Sequence, residues 1–107
     1  VVDHKKIKQL VGMMEGVVKV GSARSAKIDR PAAGKSGTSQ NYKDAWFIGF
    51  TSELVTAVWL GNDNGTPMLN VTGGGMPSRI WATFMKSAHK NIPARELLAD
   101  YNDRVED

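Results

Sequence analysis

The sequence predicts an α+β domain: an antiparallel sheet of about three strands, with a helix from each end of the chain packed on it. Three observations lead there. Apolar residues recur at three- and four-residue steps near both ends of the chain, which gathers them on one side of a helix. Between those segments, 45–50 and 54–60 are apolar on both parities, the pattern of strands covered on two faces. Only Thr51-Ser52-Glu53 separates them, a gap that joins strands as an antiparallel hairpin.

Taken in order, 1–20 form an amphipathic helix with Ile7, Leu10, Val11, Met14, Val17 and Val18 on one face. Asp3 is placed to cap its start, and Gly21 to end it in a left-handed turn. Gly12 and Gly16 are expected to let this helix pack closely on the sheet. The stretch 22–30 is polar, basic and aperiodic, and reads as a loop. Small residues at 32–39 form an extended segment, followed by a polar turn at 40–44 and then the hairpin. Asn62-Asp63-Asn64-Gly65 stops the sheet. Thr72-Gly73-Gly74-Gly75 leads to Pro77, a good first helical residue, after which Ile80, Trp81, Phe84, Met85 and Ala88 share one face. Pro93 is expected to open a last short helix carrying Leu97, Leu98 and Tyr101, with a frayed tail at 102–107. Trp46, Trp59 and Trp81 read as core and sheet-face residues, and His89 as a surface residue favourable to its helix end.

Composition narrows the function. With 107 residues, 41% hydrophobic and 23% charged, the chain suits one small globular domain rather than a disordered or fibrous protein. No apolar run is long enough to span a bilayer. The fourteen Lys and Arg residues give a net charge of +3 but are scattered from Lys5 to Arg104. A nucleic-acid footprint needs them clustered, so no nucleic-acid partner is expected. The absence of cysteine removes disulfides and thiol catalysis. His4 and His89 lie far apart with no carboxylate at ligand spacing, so no metal is expected. The chain opens on Val1 without an initiator Met or a signal peptide, and is expected to be a piece of something longer.

Gly34-Lys35-Ser36-Gly37-Thr38 is the segment that demands a chemical explanation. A phosphate-binding loop is one reading, since Gly-Lys-Ser ends the G-x-x-x-x-G-K-[ST] pattern. That pattern needs a glycine where Asp29 stands, and a helix where Gly37-Thr38-Ser39-Gln40-Asn41 follows. The better reading is an edge strand that receives an extended peptide along its backbone. Gly37 removes a side chain from the approach, Lys35 supplies positive charge, and the hydroxyls of Ser36 and Thr38 can donate to a carboxylate. The backbone N–H after Gly37 is free to face a developing oxyanion. Ser39 either adds a hydroxyl to this site or simply closes the strand end. Together these residues suit a peptide that ends in a free carboxylate.

Lys-[Ser/Thr]-Gly is also one of three active-site motifs of serine penicillin-binding proteins and class A β-lactamases. Around it, Ala33-Gly34-Lys35-Ser36-Gly37-Thr38-Ser39, Asp44-Ala45-Trp46-Phe47-Ile48-Gly49-Phe50-Thr51 and Val58-Trp59-Leu60-Gly61-Asn62-Asp63 resemble the C-terminal part of the transpeptidase domain of class A penicillin-binding proteins. Thr72-Gly73-Gly74, Pro77, Ile80-Trp81 and Phe84-Met85 continue the similarity, which spans about residues 5–90.

The resemblance implies a partial β-lactamase/transpeptidase-like fold, with 1–107 as the C-terminal portion of a transpeptidase domain. In this family a serine attacks the penultimate D-Ala carbonyl of a peptidoglycan stem peptide, releases D-Ala and passes the acyl group to a neighbouring amine. Lys35 would then be the motif lysine, while Ser36, Gly37, Thr38 and Ser39 would form the substrate strand. Ser36 and Thr38 would bind the carboxylate of a stem peptide or a β-lactam. The Thr38 amide would be half of an oxyanion hole, whose loss typically costs about a hundred- to a thousandfold in rate. No cofactor is implied. The expected setting is the outer face of a bacterial cytoplasmic membrane, reached through the full-length protein.

One departure is decisive for activity. The family's S-x-x-K and S-x-N motifs do not occur before Lys35. Ser39-Gln40-Asn41 and Ser87-Ala88-His89-Lys90 imitate them, but both follow the motif strand and the second closes a helix rather than opening one. The nucleophile is therefore not expected in this chain, which should be inactive alone and need the rest of the domain as partner. The rival reading is a non-enzymatic module that keeps the peptide- or partner-binding strand without catalysis.

Overall fold

A computed structural model describes residues 3–62, 64–69 and 71–98. Helix α1 runs His4–Lys19, strands β1, β2 and β3 run Ala33–Thr38, Asp44–Phe50 and Val55–Gly61, and helix α2 runs Met76–Ala88. Short 3-10 turns at Arg24–Ala26 and Gln40–Tyr42 flank β1. The sheet has three strands in the order β1-β2-β3, and both neighbouring pairs are antiparallel. The α+β layout, the hairpin and the extended small-residue strand are as the sequence predicts. No described helix is long and apolar enough to cross a membrane.

Alternation along the strands decides what is covered. Ala45, Phe47 and Gly49 of β2 are buried while Ile48 between them is exposed. Helix α2 packs on the buried face, and its Trp81 ring meets Phe47 edge-on at 5.2 Å with an interplanar angle of 75°. Trp81 Nε1 also donates to the Thr56 carbonyl at 3.1 Å, which ties α2 to β3. The core around this pair takes in Val18, Ala23, Ala26, Ala32, Ala82 and Met85. Ala23, Ala26 and Ala32, in the segment before β1, are buried in this core, and Ile28 packs against it.

Five expectations fail, each for a physical reason. The hairpin is covered on one face only: α1 lies chiefly against β1 and the first 3-10 turn, so Ile48 and Trp59 remain 45% and 58% exposed. On α2, helical spacing marks a wider apolar stripe than the sheet can cover. Trp81 and Met85 are buried, whereas Ile80 and Phe84 are exposed. Asp3 does cap α1, accepting from the Lys5 amide at 2.8 Å. Gly21, however, has no positive φ, and Gly65 is the described glycine that does. Glycine is needed at 21 for space, since a Cβ there would stand 2.9 Å from Val17 Cα. Gly12 and Gly16 face open space instead of packing closely on the sheet. Finally, residues 93–98 form no helix; Leu98 sits at φ 60°, outside helical backbone. Tyr101 and the tail 102–107 lie outside the described residues.

His89 is also not a surface residue. It is 1% exposed, at the end of α2. Its Nδ1 lies 2.7 Å from the Met85 carbonyl and its Nε2 lies 2.6 Å from Thr51 Oγ1. A carbonyl only accepts, so Nδ1 carries the proton. Thr51 Oγ1 already accepts from the Glu53 and Leu54 amides at 3.2 and 3.3 Å, so its own proton goes to Nε2. Arg30 reaches the same helix end, Nη2 donating to the carbonyls of Ile92 at 2.9 Å and His89 at 3.4 Å. The hairpin turn, the end of α2 and the segment entering β1 are thus tied together. His89→Phe keeps the bulk but leaves the Thr51 proton without an acceptor. Thermal unfolding is expected to show a loss of about 1–3 kcal/mol, the cost of an unsatisfied buried polar group. No loss would mean that the ring contributes bulk alone.

Candidate functional site

Strand β1 is an edge strand, paired through Lys35 with Ile48, Ser36 with Phe47, Gly37 with Trp46 and Thr38 with Ala45. Its first half, from Ala33, is buried, and from Lys35 on it opens to solvent. Paired residues share a face, so Ser36 and Thr38 lie on the side of Phe47 and α2. Lys35 and Gly37 lie on the side of Trp46 and Ile48.

The ladder also decides where the backbone groups point. The Ser39 amide donates across to the Asp44 carbonyl at 2.9 Å. Antiparallel alternation then turns the N–H and C=O groups of Ser36 and Thr38 away from β2, onto the unpaired edge. Lys35 follows them: its Nζ donates to the Ser36 carbonyl at 2.9 Å. One open edge therefore carries an ammonium group and two backbone N–H groups, with the Ser36 and Thr38 hydroxyls beside it on the α2 side. This arrangement can hold an extended chain by backbone hydrogen bonds while its carboxylate meets Ser36 and Thr38.

Three members of the motif have contacts that spacing alone does not reveal. An added Cβ at Gly37 would stand 2.2 Å from the Trp46 ring, so what this glycine makes room for here is the indole of the neighbouring strand. Ser39 Oγ accepts from the Asp44 amide at 2.8 Å and lies 3.3 Å from the Asp44 carbonyl, and thus closes the β1–β2 turn. Of its two sequence readings, the geometry favours the strand-end one. Thr38 Oγ1 accepts a hydrogen bond from the Gly73 amide at 3.0 Å.

The flanking turn is held from the same side. Asn41 and Tyr42 both adopt positive φ, 59° and 55°, an unusual backbone for a residue as large as Tyr42. The Met68 amide donates to the Tyr42 carbonyl at 2.7 Å, which fixes it. The loop between β3 and α2 thus touches the motif strand at Thr38 and its turn at Tyr42. Neither contact was legible beforehand, since the Thr72–Gly75 stretch reads as a helix lead-in and nothing in its spacing points to Thr38. The imitation S-x-x-K residues stay apart from this edge, at the far end of α2, where His89 is buried against Thr51. Among the described residues, no group of three or more His, Asp or Glu is placed to hold a metal.

No protein-family profile matches the chain. Individual proteins do. It is 39% identical over 89 residues to penicillin-binding protein 1A of Aquifex aeolicus, covering 81% of this chain and 12% of that protein. To penicillin-binding protein 1A of Neisseria lactamica it is 36% identical over 99 residues, covering 90% of this chain and 12% of the relative. The chain thus spans about 12% of the length of these curated relatives. Its fold is similar to part of the crystal structure of penicillin-binding protein 1A from Haemophilus influenzae, with a TM-score of 0.71 and 26% identity. That match takes in 91% of this chain and 16% of the other. Similarity in sequence and similarity in fold lead to one family: the chain belongs to the penicillin-binding proteins and matches one stretch of them.

Proposed function

We propose that this chain supplies one wall of the active site of a peptidoglycan D,D-transpeptidase, residues 1–107 being the C-terminal portion of that domain. The observation that carries the reading is the open edge of β1, where the Lys35 ammonium and the outward backbone of Ser36 and Thr38 stand together. A stem peptide lies along this edge with its terminal carboxylate at the Ser36 and Thr38 hydroxyls. A serine from elsewhere in the full-length protein attacks the penultimate D-Ala carbonyl, and the Thr38 N–H stabilises the oxyanion. The C–N bond breaks and D-Ala leaves with the proton the serine gave up; a neighbouring amine then attacks the acyl-serine ester, the C–O bond breaks, and a proton from the amine returns to the serine oxygen. Lys35 attracts the carboxylate and takes part in the proton network. A β-lactam, with its own carboxylate and a strained amide, occupies the same strand. The reaction takes place on the outer face of the cytoplasmic membrane, where stem peptides are found.

Labelled penicillin tests this reading. The full-length protein is expected to form a covalent adduct, and the isolated 107-residue chain none. An adduct on the isolated chain would show that the nucleophile lies within it. A full-length protein that stays unlabelled would overturn the transpeptidase assignment.

A further inference from the structure

We propose that Gly73 is a positioning residue for carboxylate recognition, acting through the hydroxyl of Thr38; the proposal deepens the transpeptidase reading and rests on it. A hydroxyl has one proton to give and two lone pairs to receive. The Gly73 amide occupies one lone pair of Thr38 Oγ1 at 3.0 Å. The proton is thereby left to donate outward, and donating is the role a carboxylate requires, because a carboxylate only accepts. The amide bond also polarises the hydroxyl it feeds, which strengthens the outward bond.

The close approach depends on glycine. A Cβ at position 73 would stand 2.3 Å from the Trp46 carbonyl oxygen, 2.5 Å from that of Gly37 and 2.7 Å from the Gly37 nitrogen. All three are backbone atoms of β1 and β2, and none can yield without moving a strand. Conformation does not demand glycine here, since φ at Gly73 is not positive. Space does. The loop is itself braced from behind: the buried Ser78 hydroxyl reaches the carbonyls of Gly74 at 2.7 Å and Gly75 at 2.9 Å. The Gly75 amide closes a turn on the Thr72 carbonyl at 3.0 Å. Helix α2 thus holds a backbone N–H against the motif strand, and any side chain at 73 would lift it away.

The test uses the full-length protein and compares acylation by benzylpenicillin with acylation by its methyl ester, which lacks the negative charge. Gly73→Ala is expected to slow the penicillin reaction about tenfold more than the ester reaction, the size of one charge-assisted hydrogen bond. Thr38→Val should do the same and Thr38→Ser should not, because it keeps the hydroxyl. In the Thr38→Val background Gly73→Ala should cause no further loss of discrimination. Equal slowing of both reactions, or a second full loss in the double variant, would show a structural role only and overturn the proposal. If Gly73→Ala does not fold, hydrogen exchange at the Gly73 amide decides. Exchange should quicken in Thr38→Val but not in Thr38→Ser, and equal exchange in all three proteins would overturn the proposal. A wild-type protein that reacts with neither compound removes the transpeptidase reading and this proposal together. One that reacts while Gly73→Ala discriminates normally removes this proposal alone.

Discussion

Lys35→Ala in the full-length protein is expected to lower the rate of acylation by penicillin by about a hundred- to ten-thousandfold, the range associated with losing a positioned proton-transfer group. The fold should hardly notice. Lys35 is exposed on an edge strand, and among the described residues its ammonium is held by the carbonyl of the next residue. Removing it uncovers no core, and exposed substitutions of this kind usually stay within about 0.5 kcal/mol. The two roles assigned to the lysine separate on a second substitution. Lys35→Arg restores the positive charge but not a group that can give up its proton. If attraction of the carboxylate were the whole contribution, arginine would recover most of the rate. The proton role predicts that it recovers little. Normal acylation of Lys35→Ala, measured beside an unchanged melting curve, would remove Lys35 from the site.

The residues proposed to carry chemistry stand out in the sequence because their types and order are unusual at short range. A lysine, two hydroxyls and a glycine on a strand of small residues already suggest an edge that receives a carboxylate. The structure adds that they share an edge: alternation turns the outward backbone of Ser36 and Thr38 to the side where Lys35 Nζ sits. The contacts that hold them were not legible, since they join residues far apart in sequence through backbone atoms that carry no identity. Gly73 to Thr38 and Met68 to Tyr42 are both of this kind. Periodicity misread burial at several positions where it was used as a measure of coverage. Ile48, Ile80 and Phe84 sit at sound strand or helix spacing yet stay exposed, because spacing fixes a face and not what lies opposite it. His89 failed in the opposite direction. A polar residue at a helix end reads as solvated, and only the packed hairpin turn, with Thr51 needing an acceptor, explains its burial.

Trp81→Ala is expected to bring the largest loss of stability, about 3–5 kcal/mol, as for other buried aromatic truncations. Domains of this size have only about 5–15 kcal/mol in total, so the variant should be close to unfolding. Trp81 has no exposed surface, it packs edge-on against Phe47, and it holds the Thr56 carbonyl. Trp81→Phe should cost less, because an aromatic body remains and only the N–H bond and part of the ring are lost. Gly49 supplies an independent check on where the ring lies. Replacing a strand glycine by alanine ordinarily favours folding by about 0.5–1 kcal/mol through the unfolded chain. Here the sign should reverse, since a Cβ at Gly49 would stand 2.8 Å from Trp81 Cζ2 and 2.7 Å from Phe47 Cε2. Such overpacking costs about 1–3 kcal/mol. Deleting the indole relieves one of the two clashes, so Gly49→Ala should be less harmful in the Trp81→Ala background, with Phe47 keeping part of the penalty. Urea unfolding followed by far-ultraviolet circular dichroism measures all four corners of this cycle. A Gly49→Ala cost that is the same with and without the indole would contradict the packing of Trp81 across β2.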